Sequence, residues 1–199
     1  MKKIRYKTKA DEKKKQKLIY GLLIAFIMVT SVLGYFGSRG NSSYRYNNIK
    51  FTRLPNTQLF VTKIKGMEFR FHYLPQWVDN LTIPQEIIAK IRDSQVMYTT
   101  YDYNSSFATV DAEVEFYLTE ALSEISKYVL PGFITRTNTK RPLITCANAT
   151  ASVPVIYLGK SNITELRLNN SCITFKAPTR AEFLAYKDRL LYGVLGIIQ

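Results

Sequence analysis

Residues 18–36, LIYGLLIAFIMVTSVLGYF, form an uncharged run of nineteen. As a helix the run is about 28 Å long, close to the hydrocarbon thickness of a bilayer. Before it stand Lys2, Lys3, Arg5, Lys7, Lys9, Lys13, Lys14, Lys15 and Lys17, against only Asp11 and Glu12. Basic residues flanking an apolar run stay on the cytoplasmic side. The pattern predicts an N-terminal transmembrane helix over 18–36, with 1–17 as a basic cytoplasmic arm and the C-terminal part outside. A cleaved signal peptide has a shorter apolar core and a small-x-small cleavage site, and Val32-Leu33-Gly34-Tyr35-Phe36 offers none. The run therefore reads as an uncleaved signal-anchor. It places the protein at the cell membrane as a single-pass chain whose first partner is the lipid bilayer.

The net charge of +13 would ordinarily direct attention to nucleic acid. Seven of those charges lie in the arm beside the apolar run, where they serve topology, so no nucleic-acid partner is expected. Two further features agree with an outside location. Six Asn-x-Ser/Thr acceptors occur, at Asn41, Asn80, Asn104, Asn148, Asn162 and Asn169, where roughly two would arise by chance. These mark candidate glycosylation sites, although Asn, Ser and Thr also gather in turns. The chain has two cysteines, Cys146 and Cys172, both beyond the apolar run. Compartment and parity together predict a disulfide between them.

Residues 37–47, GSRGNSSYRYN, read as a linker. From 48 to 199 the patterning is that of one α+β domain of mixed α/β character. Segments 48–54, 58–65 and 67–73 predict an antiparallel meander. The last has the cleanest alternation, with Met67, Phe69, Phe71 and Tyr73 on one side and Glu68, Arg70 and His72 on the wet side. A helix is expected after a Thr82–Gln85 capping box, with Ile83, Ile87, Ile88 and Ile91 as its apolar face. Residues 95–101 are β-rich, 110–128 carry a helical stripe, and 131–135 read as a short strand. In the last third, strands are expected at 153–158, 163–168 and 172–176, with 159–162 and 169–171 as hairpin turns. The C-terminal helix opens on a Thr179–Glu182 capping box, with Phe183, Leu190, Leu191, Val194 and Ile198 on its buried side.

Four stretches carry a resemblance: Leu143-Ile144-Thr145-Cys146-Ala147-Asn148-Ala149-Thr150, Val153-Pro154-Val155-Ile156-Tyr157, Asn170-Ser171-Cys172-Ile173, and Asp188 through Ile198. Together with the meander around 49–51 and 69–73, they resemble an uncharacterised family of small archaeal single-pass membrane proteins with no known activity. The resemblance implies a cell-surface setting and the pairing of Cys146 with Cys172. It implies no reaction.

Signatures of catalysis are sparse. The single His, His72, cannot build a multi-His metal site, and there is no Cys-x-x-Cys, phosphate loop or nucleophile elbow. No metal, cofactor or catalytic residue is assigned. Asp102 is the one candidate ligand residue. It ends a β-rich run before a helix, where α/β proteins place ligands, and Asp111, Glu113 and Glu115 follow within the next turns. The competing reading is that Asp102 caps a turn and the acids favour the helix's positive end. Tyr44, Tyr46, Tyr73, Tyr98, Tyr101, Tyr103, Tyr117 and Tyr128 could form a partner-binding face or simply pack strands. The chain thus reads as a non-catalytic binding or scaffolding component of the cell envelope, with a protein partner there. The alternative is a membrane-tethered, carboxylate-dependent hydrolase.

Overall fold

The computed structural model describes residues 9–37 and 43–198, with side chains at 17–32 in the first stretch and throughout the second. The chain divides into two units, 1–41 and 42–199.

In the first unit, α1 runs Lys9–Gly37. Among the described residues no helix is long and apolar enough to cross a membrane, which corrects the transmembrane helix expected over 18–36. Residues 18–36 lie within α1 and are helical. Leu18, Ile19, Leu22, Ile24, Phe26 and Ile27 are all more than half exposed.

The second unit is α+β, built from two sheets and a set of helices. The first sheet is an antiparallel meander in the order β1 (Ser43–Tyr46), β2 (Ile49–Arg53), β3 (Phe60–Ile64), β4 (Met67–Phe71). It has four strands rather than three, because 43–46 of the expected linker pair with β2. Two of its turns are two-residue loops with both central residues at positive φ: Asn47 and Asn48 at 44° and 64°, and Lys65 and Gly66 at 50° and 87°. Such loops match the right-handed twist of the strands they join, and Asn and Gly tolerate that conformation best.

The second sheet has the order β6-β5-β7-β9-β8. Here β5 is Val96–Tyr101, β6 Tyr128–Phe133, β7 Val155–Lys160, β8 Glu165–Asn169 and β9 Cys172–Ala177. All its pairings are parallel except β8 with β9. Asn170 and Ser171, at φ 45° and 69°, make the β8–β9 hairpin. Residues 159–162 do not form the expected hairpin turn. β7 and β9 pair in parallel, so β8 must cross to the outer side of β9.

The helices are α2 (Pro75–Val78), α3 (Gln85–Asp93), α4 (Ala108–Glu124) and α5 (Arg180–Val194). The α3 apolar face is buried as its spacing requires. The expected capping box is absent, because Pro84 occupies the cap position and no side chain caps the helix there. At its other end Lys127 donates to the carbonyls of Arg92 and Ser94, at 2.6 and 2.7 Å, satisfying acceptors that a helix C-terminus leaves open. Helix α4 stops at Glu124 rather than Tyr128, since Ser126 turns to φ 61° and Tyr128 begins β6. It packs on β5, β6 and β7.

Helix α5 starts with Thr179 accepting from the Glu182 N–H and is enclosed on nearly every side. Phe183 meets Phe175 of β9 edge-on at 4.4 Å, and Tyr192 meets Phe71 of β4 at 4.3 Å and Phe51 of β2 at 6.1 Å. One helix thus serves the cores of both sheets, and each fully buried aromatic is worth about 2–3 kcal/mol.

The same helix buries Lys187 and Asp188 completely. Asp188 accepts from the backbone N–H groups of His72 and Tyr73, at 2.7 and 2.8 Å, just past the end of β4. Lys187 pairs with its other oxygen. Burial still holds the Asp188 carboxyl above its ordinary range. Removing one partner of a buried pair strands the other. Asp188→Ala is therefore expected to cost about 3–5 kcal/mol in urea unfolding; a loss below about 1 kcal/mol would show that the meander does not depend on this anchor.

Candidate functional site

The chain leaves β5 to build β6 on one side through α4, then returns to build β7 on the other. The carboxyl ends of β5 and β7 therefore flank a topological switch point, the usual place for a ligand crevice in such sheets. Asp102 lies there, directly after β5. Its Oδ1 accepts from the Asn104 N–H at 3.0 Å, and its carbonyl accepts from the Ser105 N–H at 3.1 Å. It caps a turn, as the simpler of its two readings requires.

The three acids that follow divide between two places. Asp111 and Glu115 share one face of α4, four residues apart. Glu115 accepts from the Thr99 hydroxyl at 2.8 Å and from the Arg141 guanidinium at 2.6 Å. Asp111 is fully buried, and neither carboxylate oxygen has a hydrogen-bond partner among the described residues. Burial, then Asp102, then Glu115 push it up to about 7. Glu113 turns instead toward α5. It accepts two bonds from Arg180, at 2.6 and 2.5 Å, and this bonding holds its carboxyl below the usual range.

His72 also departs from expectation. Strand alternation places it on the wet face, but its side chain is 9 % exposed. The ring lies edge-on to Tyr117 at 4.6 Å, 3.7 Å from Glu113, with Nδ1 3.4 Å from Lys187. Strand β4 ends at Phe71, so alternation no longer governs the next residue. Burial and the Lys187 charge lower the His72 pKa to about 4, which leaves the ring neutral near pH 7. Among the described residues no group of three or more His, Cys, Asp or Glu is placed to hold a metal ion.

On the face of the second sheet away from α4 lies a groove of about 550 Å³. It is lined by Tyr98, Leu130, Pro131, Lys140, Arg141, Pro142 and Ile144. One wall is edge strand β6; the other is the segment 140–146, held by four devices. The Phe133 N–H donates to the Pro142 carbonyl at 3.0 Å, and the Ile144 N–H donates to the Phe133 carbonyl at 2.8 Å. The Thr100 hydroxyl donates to the Ile144 carbonyl at 2.8 Å. A Cβ at Gly132 would stand 2.5 Å from Ile144 Cγ1, so only glycine permits the approach. Finally, Cys146 is bonded to Cys172 at the start of β9, with Cα atoms 5.3 Å apart.

Arg141 joins the groove to the acids. Its guanidinium is 4.9 Å from the Phe133 ring centre while it pairs with Glu115. The tyrosines do not form one face. Tyr98 lines the groove, Tyr44, Tyr46 and Tyr73 pack against the core, Tyr101 is buried and Tyr117 covers His72, while Tyr103 and Tyr128 stand exposed. The five sequon asparagines among the described residues, Asn80, Asn104, Asn148, Asn162 and Asn169, are all exposed; Asn41 lies outside the described residues. Of the groove residues, sequence reasoning placed only Tyr98 among binding candidates. The available signal for the others was the Lys140-Arg141-Pro142 run shortly before a bridged cysteine.

Two measurements follow. The fold holds a proton on Asp111 up to about pH 7, whereas an unfolded carboxyl releases it near 3.8. The native state therefore binds the extra proton between those values. The stability this contributes is full below about pH 4 and falls by a few kcal/mol as pH rises to about 7. Asp111→Asn should flatten that part of the pH–stability curve, and parallel curves for the two proteins would refute the assignment. Cys172→Ser opens a 26-residue separation. It should cost about 3.5 kcal/mol less any strain relieved, with hydrogen exchange rising first at 140–150; uniform exchange would contradict a pinned groove wall.

Comparison with protein-family models, with curated proteins and with solved structures finds no match to this chain.

Proposed function

We propose that this chain is an extracytoplasmic binding or scaffolding component of a cell envelope, attached to a lipid bilayer through residues 18–36, and that a protein partner is seated in the groove beside β6. One observation carries the reading: an open apolar groove, walled by a disulfide-pinned segment, with Lys140 and Arg141 at its rim. The disulfide supports an oxidising location. Arg141 is already paired with Glu115, so the apolar lining with Lys140 at its rim favours an apolar segment of the partner that carries a carboxylate.

The partner does not add a strand. The outward groups of β6 belong to Val129, Pro131 and Phe133. Pro131 has no N–H, and Phe133 is already bonded to the 142–144 segment. Recognition therefore runs through side chains. Leu130, 46 % exposed, is the natural apolar contact.

The second reading, a carboxylate-dependent hydrolase, is favoured by the buried, unpartnered Asp111 beside Asp102. The two readings separate in one experiment: affinity capture of the detergent-solubilised full chain, compared with Leu130→Asp and with Asp111→Asn. Binding through the groove predicts a stoichiometric partner that Leu130→Asp loses at least tenfold and Asp111→Asn retains, with the Leu130→Asp melting temperature unchanged. Retention by Leu130→Asp would reject the groove. A hydrolytic activity that Asp111→Asn abolishes would favour the enzyme.

A further inference from the structure

The outward face of the meander carries a row of like charges. Arg45 on β1 stands directly opposite Lys50 on β2. The β2–β3 register, with Phe51 opposite Thr62, continues the row from Lys50 to Lys63. Three cations therefore stand abreast on adjacent strands, about 5 Å apart. All three are exposed, and none has an ion-pair partner among the described residues. The row ends at Glu68, opposite Lys63, whose carboxylate leans to Arg70 at 4.0 Å. Like charges directly opposite one another destabilise a sheet, so in isolation the arrangement costs the fold and returns nothing.

The face is flat and shallow. A depression of about 280 Å³ lies between Lys50 and Lys63, with Thr52 and Val61 on its floor. The outward positions of β1 to β3 hold no aromatic side chain on which a base or sugar could stack. Point charges and hydroxyls on a flat sheet suit a surface of phosphates. The apolar run ends at residue 36, and β1 begins at residue 43. That interval is at most about 25 Å of chain.

We propose that this face docks on the phosphate headgroups of a negatively charged bilayer surface. The proposal rests on the membrane attachment proposed above, since a short tether raises the effective concentration of headgroups at a linked face. Anionic lipid would relieve the like-charge cost of the row, and each cation would add to the attraction until salt screens it.

The test uses the full chain reconstituted in two lipid nanodiscs, one zwitterionic and one enriched in phosphatidylglycerol. Amine acetylation is read by mass spectrometry at Lys50 and Lys63, with Lys160 of the second sheet as the reference. The expected result is labelling of Lys50 and Lys63 slowed about fivefold or more in the anionic disc only. High salt restores it, and Lys160 does not change. Equal labelling in both discs, with the protein retained in both, overturns the docking face and leaves membrane attachment intact. Failure of the chain to enter either disc overturns both. Equal protection by inorganic phosphate in detergent, without lipid, also overturns the proposal, since it would assign the row to a soluble anion.

Discussion

The second unit depends on a buried carboxylate. Asp188 sits on α5, fully out of water, and takes two backbone N–H groups from the chain just beyond β4. Charge-assisted bonds of that kind are about twice as strong as neutral ones, and they fix where the meander lies on the helix. The cost of burying the charge is met by Lys187, also fully buried, which in turn contacts the His72 ring. The Tyr192 hydroxyl donates to the Tyr73 carbonyl at 2.6 Å and closes the same joint. A purely apolar helix could have packed both sheets, but it would have left those N–H groups unsatisfied, which is costly in a buried place.

The second sheet builds its groove on that platform. Its parallel strands read as buried, with Met97, Thr99 and Tyr101 toward α4 and Tyr98 and Thr100 toward the opposite face. What converts that opposite face into a binding surface is a loop held against it. The Cys146–Cys172 bridge, the Ile144 bonds and the missing side chain at Gly132 all act on the same few residues. Arg141, at the end of the loop, reaches across to Glu115 on α4. The guanidinium thereby links the groove to Glu115, one helical turn from the buried Asp111.

Charge is arranged by location rather than by total. The arm before residue 18 accounts for more than half of the net +13. Within the folded unit a few basic side chains pair with acids, as in Arg180 with Glu113 and Arg141 with Glu115. Arg45, Lys50 and Lys63 are left standing together on one sheet face.

Local patterning determined much of the architecture. Alternation at 67–71, Asn170 before Ser171, and Thr179 three residues ahead of Glu182 each act over a few residues, so short-range sterics and hydrogen bonds decide them. The Cys146–Cys172 pair was also legible, because parity leaves no competing partner. The parallel order of β7 and β9 was not, since nothing local distinguishes a hairpin from a crossover when β8 pairs with only one of its neighbours. The burial of His72 and of Asp111 was not legible for a related reason. Their burial is imposed by α5 on one side and by the sheet's switch point on the other, contacts more than a hundred residues away for His72. The groove has the same origin: Leu130, Arg141 and Ile144 acquire a common surface only when a distant disulfide and a glycine bring their segments together. Sequence alone determined the local elements and the sites of charge; the tertiary structure decided which of those charges are buried, which are paired and which face outward, because only packing sets the dielectric around each group.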